Sequence, residues 1–334
     1  MIKRTLIPLA VAACTTLLSL SAHADTYRLT HNTSDATSWQ KGAEKFNELL
    51  KQASDGDIGV RIFPNAVLSG GDQMKQAEMV GRGDIDFVIT SAINVTPLIP
   101  EMAVFSLPYL FSNYAQVDNA IQGAPGDAVK EIARDNGIEI LAWGENGFRE
   151  LTNSVKPVSS PADLRGMKIR VAGPMYIDVF DALGANPQQI QWTETFSALQ
   201  QGVVDGQENP VGSIIVPQRL YEVQKYLTEW HYSYDPIFIG VSEKRWNGWD
   251  AKTQALVAKA AQEAMAYQRD LARDQTRSGV ETLKQHGMTI TTLDATQLEA
   301  FKQATSEVYD QWAARVGEDL VTQFEQAVKD TASQ

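Results

Sequence analysis

From Asp250 to His286 the chain carries no proline; Ala, Gln, Glu and Arg dominate, and Gly279 is the one internal weak point. Such a stretch predicts one continuous helix. About 35 helical residues at 1.5 Å of rise each would measure roughly 50 Å, more than one layered unit presents. The helix is therefore expected to run along two lobes. Whatever the rest of the chain builds must supply two bodies for it to lie across.

The preceding residues read as those two bodies. Tyr27–His31 has a strand pattern, and Thr37–Ala53 places Trp39, Ala43, Phe46, Leu49 and Leu50 at helical spacing. Ile58–Phe63 alternates as a strand and stops at the turn signal Pro64-Asn65. Gln73–Val80 reads as a helix ended by Gly81 and Gly83, and Ile85–Ile89 is a continuous apolar run typical of a buried parallel strand. Strand and helix alternating at these lengths predict an α/β lobe with a parallel core. A second series begins near Gly147, with strands at Arg149–Asn153, Lys168–Val171, Val203–Gln207 and Tyr226–Trp230 and helices at Met175–Leu183 and Thr195–Gln201. Asp235-Pro236 leads into the apolar run Ile237–Val241, which would return the chain to the first sheet, and Leu298–Ala327 adds terminal helices. The expected organisation is a leader at 1–24, a first lobe of 25–146 plus 235–274, and a second lobe of 147–234 plus 275–334.

The leader expectation rests on Lys3 and Arg4, the apolar run Thr5–Leu20 and the small residues of Ala22-His23-Ala24, which predict cleavage before Asp25 and a periplasmic, soluble mature chain. Val11-Ala12-Ala13-Cys14 looks like a lipoprotein box, but Leu17, Leu18 and Leu20 follow where a polar tether is usual. No later stretch has the ~18 uncharged apolar residues of a membrane span. Cys14 is the only cysteine, so the mature fold must rest on core burial rather than disulfides. Loss of Lys3 and Arg4 deepens the formal charge of −12 by two. Such a surface repels nucleic acid and anionic lipid. An anionic ligand must then be recognised by locally placed arginines.

Signals for catalysis, metal or cofactor do not assemble. His31, His231 and His286 are far apart, with no HExxH spacing for zinc. No cysteine nucleophile survives leader removal, and no Gly-x-Ser-x-Gly elbow is present. Gly81-Arg82-Gly83 lacks the third glycine of a dinucleotide fingerprint. The carboxylates at Asp84, Asp86 and Glu101 are as well explained by solvation as by chemistry. Neither enzyme activity nor a cofactor is expected.

Three segments point elsewhere. They are Glu145-Asn146-Gly147-Phe148-Arg149-Glu150-Leu151-Thr152-Asn153, Asp163-Leu164-Arg165-Gly166-Met167-Lys168-Ile169-Arg170-Val171 and Val204-Asp205-Gly206-Gln207-Glu208-Asn209-Pro210. In order and spacing they resemble the periplasmic solute-binding subunits of TRAP transporters, the tripartite ATP-independent systems of the C4-dicarboxylate-binding family. More loosely the likeness spans the mature chain, including Phe105-Ser106-Leu107-Pro108-Tyr109-Leu110-Phe111 and the long late helix. The resemblance implies a two-lobed periplasmic-binding-protein fold with a cleft between the lobes. It implies capture of a small carboxylate, a C4-dicarboxylate or a sugar acid such as a uronate or aldonate, by a monomer that delivers it to small and large membrane permease subunits. By the same likeness Arg170 is the carboxylate anchor, Arg149 a second arginine near it, Asn209 a cleft asparagine and Trp192 a ring packed on the ligand.

The residues can also be read without the family. Alternation along Met167–Val171 puts Met167, Ile169 and Val171 on one face and Lys168 and Arg170 on the other. A planar guanidinium can make two parallel charge-assisted bonds to one carboxylate, although a solvated edge-strand arginine would show the same pattern. Arg149 could instead form a structural ion pair with Glu150 or Glu145. Asn209-Pro210 suits a helix N-cap and first turn, with a helix running to about Arg219. Trp192 could pack in a core as well as on a ligand. First-lobe candidates lie beyond strand ends, where ligands bind in open α/β sheets: Asn32 after the first strand, and Thr90, Ser91 and Asn94 after Ile85–Ile89. Capture is expected to proceed by lobe closure, through crossings near Trp143–Gly147 and Trp230–Asp235 and a bend in the long helix. The same closing cleft would serve a subunit that signals to a membrane sensor, and the sequence leaves that alternative open.

Overall fold

The computed structural model describes residues 25–332, so the expected leader and Cys14 lie outside the described residues. The described residues open with β1 (Asp25–Thr30), pass through a helix at Ser38–Ala53 and continue into β2 (Ile58–Phe63), β3 (Phe87–Ser91) and β4 (Ile138–Phe148). It then crosses to β5 (Glu150–Asn153), β6 (Lys168–Val171), β7 (Asn186–Gln189), β8 (Gly206–Asn209) and β9 (Tyr226–Glu229). β10 (Tyr234–Ser242) returns, and β11 (Thr289–Thr292) follows the long helix. Two sheets result, ordered β2-β1-β3-β10-β4 and β11-β9-β5-β8-β6-β7. Only β1, β2 and β3 form the parallel core expected of the first lobe. β10 runs antiparallel to both β3 and β4, because it re-enters the first sheet from the opposite lobe.

Each crossing is short. Arg149 alone separates β4 from β5, and residues 230–233 separate β9 from β10. Gly147 holds φ at +120°, where a Cβ would also meet the Pro210 ring at 3.3 Å, so the turn into the second lobe calls for glycine.

The third connection is the helix Ala251–Gln285, capped by Asp250, whose carboxylate accepts from the Thr253 amide at 2.8 Å. Its apolar stripe of Val257, Ala261, Ala264 and Met265 buries into the first-lobe core with Trp39, Phe46 and Leu29. Gln268 then acts as a surrogate strand partner for Glu145: its Oε1 accepts from the Glu145 amide at 2.8 Å and its Nε2 donates to the Glu145 carbonyl at 2.7 Å. Further along, Gly279 and Gly212 let the helix and the 211–215 turn touch. A Cβ on Gly279 would meet Val211 Cγ1 at 2.6 Å, and one on Gly212 would meet the Thr276 amide at 2.3 Å. The glycine read from sequence as a weak point is a contact point.

Two expectations give way. The terminal helices are Ala295–Val316 and Glu318–Ala332, and the second does not join the second lobe. It packs on the first-lobe helices Tyr114–Gln122 and Ala124–Asp135, because Phe324 finds an aromatic pocket with its ring centre 5.1 Å from Phe105 and 6.4 Å from Phe111. Nor do Asn209 and Pro210 start a helix to Arg219. Asn209 ends β8, paired with Glu150 of β5, and Pro210 stays extended at φ −69° and ψ 142°. A single wide turn at Val211–Ile215 follows, since the close approach of Gly212 to the long helix leaves no room for a regular helical course.

Candidate functional site

A narrow recess of about 20 Å³ lies between the lobes, beyond the carboxyl ends of β1 and β3 and against β6 and β8. That leaves room for about one water molecule, so an organic ligand would enter only as the lobes part. Both walls are polar, and two arginines dominate the second-lobe side.

The alternation expected of β6 is present. Ile169 and Val171 are fully buried in the second-lobe core and Lys168 is exposed. Arg170 shares the Lys168 side of the strand yet is only 1% exposed, because the opposite lobe covers it. Its Nε donates to the Ile190 carbonyl at 2.9 Å and its Nη2 to Gln73 Oε1 at 3.3 Å. Its guanidinium carbon lies 5.4 Å from the centre of the Trp192 ring. None of these partners carries a negative charge. Burial pushes the guanidinium down to about 9, from an ordinary 12.5, with Glu208 acting the other way only as a more distant charge.

Arg149 is the opposite case. Its Nε donates to Glu208 Oε2, its Nη2 to Glu208 Oε1 at 2.9 Å, and its Nη1 to Asp235 Oδ2 at 2.7 Å. Burial works against its charge, but Glu208, Tyr176 and Asp235 outweigh it and hold the guanidinium above its ordinary range. The partners weighed from sequence, Glu145 and Glu150, are engaged elsewhere. Glu145 binds Arg273 of the long helix at 2.6 Å. Strand alternation sends Glu150 away from Arg149, to the His231 ring at 2.6 Å and to the Trp230 and His231 amides. Asn209 lines the recess, accepts from Arg149 Nη2 at 3.2 Å and donates to Gln207 Oε1 at 2.6 Å.

On the first-lobe side Asn32, Ser91 and Asn94 line the recess. Asn32 is buried, and its Oδ1 has no hydrogen-bond partner. The Ser91 hydroxyl donates to Asp235 Oδ1, and Asn94 Oδ1 accepts from Gln73 Nε2 at 2.8 Å. Thr90 is not among the lining residues. Successive side chains of a strand face opposite ways, so with Ser91 toward the recess Thr90 turns from it.

Sequence reasoning passed over Gln73, Asn146 and Asp235. The sequence pattern marks Gln73 only as the start of a helix, yet its side chain bridges the lobes. Besides Arg170 and Asn94, it accepts from the Trp192 amide at 2.8 Å and donates to the Ala172 carbonyl at 3.3 Å. Asn146 accepts from Trp39 Nε1 at 3.2 Å and donates to Asp235 Oδ2 at 2.8 Å. Asp235 had been read as a lead into β10. Burial raises its carboxyl above the ordinary range, against the pull of Arg149, Ser91 and Asn146. A carboxylate one residue before a proline carries no sequence mark of this role.

Chemically, the walls bring together a neutralised arginine, an uncompensated one and a set of fixed amide and hydroxyl groups. Among the described residues no cluster of His, Cys, Asp or Glu could hold a metal ion, and no helix is long and apolar enough to cross a membrane.

Comparison with known proteins gives the family. The family described as bacterial extracellular solute-binding protein, family 7 (DctP) matches residues 29–315. The 2,3-diketo-L-gulonate-binding periplasmic protein of Escherichia coli is 32% identical over 318 residues, 94% of this chain and 95% of that protein. The C4-dicarboxylate-binding periplasmic protein of Rhodobacter capsulatus is 29% identical over 328 residues, 96% of this chain and 97% of that protein. A TRAP periplasmic solute-binding protein from Ralstonia eutropha, solved with (S)-2-acetolactate bound, superposes with a TM-score of 0.89 at 37% identity, covering 91% of this chain and 99% of its own.

Proposed function

The chain belongs to family 7 of the bacterial extracellular solute-binding proteins and is a TRAP transporter solute-binding protein, and on that premise we propose that it captures a small organic acid with Arg170 as the carboxylate anchor. One observation carries the reading: Arg170 is a buried guanidinium whose hydrogen-bond partners are all neutral. A buried charge normally has an ionic partner, and a ligand carboxylate meeting the planar fork would supply it. Relatives named for 2,3-diketo-L-gulonate and C4-dicarboxylates, and a neighbour holding acetolactate, all take carboxylates.

The remaining lining residues have secondary roles in this proposal. Arg149, fixed by Glu208 and Asp235, offers no free charge and instead orients Asn209 on the same wall. Asn209 extends that wall, Trp192 covers the carbon skeleton and the Arg170 face, and Asn32, Ser91 and Asn94 meet the rest of the ligand. Thr90 supports β3 behind them. Ligand makes contacts with both walls only when they are close, so binding shifts the population toward the closed form. The closed monomer, in the periplasm, would then present the acid to the small and large membrane permease subunits.

A melting screen of the mature chain against organic acids, neutral sugars and amines tests the proposal, since a ligand that binds only the folded chain raises its midpoint. Acids should stabilise it. Stabilisation by neutral sugars or amines and by no acid would refute the carboxylate reading.

A further inference from the structure

We infer that this cleft selects acids with one carboxylate and hydroxyl groups toward the other end, and discriminates against dicarboxylates of the same length. The inference rests on the proposed role of Arg170 and asks what the other walls leave for the rest of the ligand.

Charge compensation is nearly used up before a ligand enters. Nε, Nη1 and Nη2 of Arg149 each already donate to a carboxylate, of Glu208 or Asp235, and both acids are fully buried. With both acids ionised, that triad holds one more negative than positive charge. Arg149 is therefore no second anion receptor. Arg170 is the cation left to a ligand, and it matches one carboxylate.

The rest of the lining rewards hydrogen-bond donors. Asp235 lines the recess itself, and Asn32 presents a buried carbonyl oxygen that receives no hydrogen bond. A hydroxyl both donates and accepts, so it can satisfy Asn32 Oδ1 and still take a proton from a neighbouring amide such as that of Asn94. A second carboxylate only accepts. It would leave Asn32 Oδ1 unsatisfied and lie buried beside the Asp235 charge without a cation of its own. A buried charge without a partner costs several kcal/mol, whereas a satisfied hydroxyl does not.

Titration calorimetry on the mature chain at pH 7.5 separates the cases, using D-erythronate, succinate, butyrate, 4-aminobutyrate and erythritol as four-carbon probes and D-gluconate as a longer aldonate. The better aldonate should bind at least about 100-fold more tightly than succinate. Asp235→Asn should narrow that gap at least about tenfold, and Asn32→Leu should weaken the aldonate about tenfold. The comparison on the unaltered chain stands whether or not either variant folds. Succinate within tenfold of the aldonate overturns the selectivity while sparing the carboxylate anchor. Tightest binding by 4-aminobutyrate overturns it in favour of an amino acid, and failure of both aldonates overturns it outright. Binding of erythritol with no acid at all would remove the proposed function as well.

Discussion

Replacing Arg170 by methionine should weaken ligand binding sharply and yet leave the empty protein about as stable as before. The two effects have one origin. In the empty cleft the guanidinium is held at about 9 instead of 12.5 by burial, which corresponds to about 5 kcal/mol of uncompensated charge. Methionine keeps the length of the side chain and removes that charge. It also forfeits the bonds to the Ile190 carbonyl and Gln73 Oε1, each worth about 1–3 kcal/mol because the donor is charged. The balance runs from about −1 to +3 kcal/mol, so the ligand-free melting midpoint should stay within about 2 °C below the parent or rise above it. Binding of the acid that most stabilises the unaltered chain should fall by about 2–5 kcal/mol, roughly 30- to 5,000-fold. Calorimetric titration and a melting curve on the same sample read both. A variant that binds within tenfold of the parent, or whose ligand-free midpoint drops by several degrees, would refute the reasoning, because Arg170 would then be structural.

Other perturbations test other parts of the fold. His31 is buried beside the cleft, and burial lowers its imidazole to about 4 from 6.5; the unfolded chain therefore binds more protons between those values, and acidification from pH 6.5 removes about 2 kcal/mol by pH 4.5. His31→Gln should lose that component, so its melting midpoint should gain on the parent as pH falls from 7 to 4.5; parallel curves would contradict the account. Gln73→Ala removes side-chain bonds from the first lobe to Arg170, Trp192 and Ala172, so the ligand-free variant should show a larger radius of gyration by small-angle scattering, while an unchanged profile would deny Gln73 a latching role. Gly212→Ala would drive a Cβ to 2.3 Å from the Thr276 amide and should cost about 1–3 kcal/mol, read as a lower urea midpoint.

The fold was legible where one period ran long enough to decide. Ile58–Phe63, Lys168–Val171 and the helix from Asp250 follow directly from alternation, turn residues and the absence of proline. Local pattern could not say that β10 enters the first sheet antiparallel, because the direction of a strand is set by where the chain has just been. It could not place Glu318–Ala332 either, since the stripe holding Leu320 and Phe324 would suit either lobe until Phe105 and Phe111 are seen beside it. Asn209-Pro210 misled for a related reason. The same dipeptide suits a helix start and a strand exit, and Asn209's ladder partner Glu150 lies 59 residues earlier in the chain.

The site divides in the same way. The resemblance supplied Arg170, Arg149, Asn209 and Trp192 as cleft residues, but the difference between the two arginines lies wholly in partners distant in sequence. Glu208 and Asp235 neutralise Arg149, and nothing along the chain pairs those three. Gln73 reaches the opposite wall only after the lobes meet. Asn32 and Asp235 bring an unsatisfied oxygen and a buried charge into the lining, both properties of the assembled fold.

The central claim is that Arg170 receives the ligand carboxylate. A crystal structure of the mature chain with its tightest-binding acid tests it most directly. The account predicts both carboxylate oxygens within hydrogen-bond distance of the Arg170 guanidinium, with Arg149 still held by Glu208 and Asp235. A carboxylate lying on any other group, with Arg170 still bonded only to Ile190 and Gln73, would contradict it.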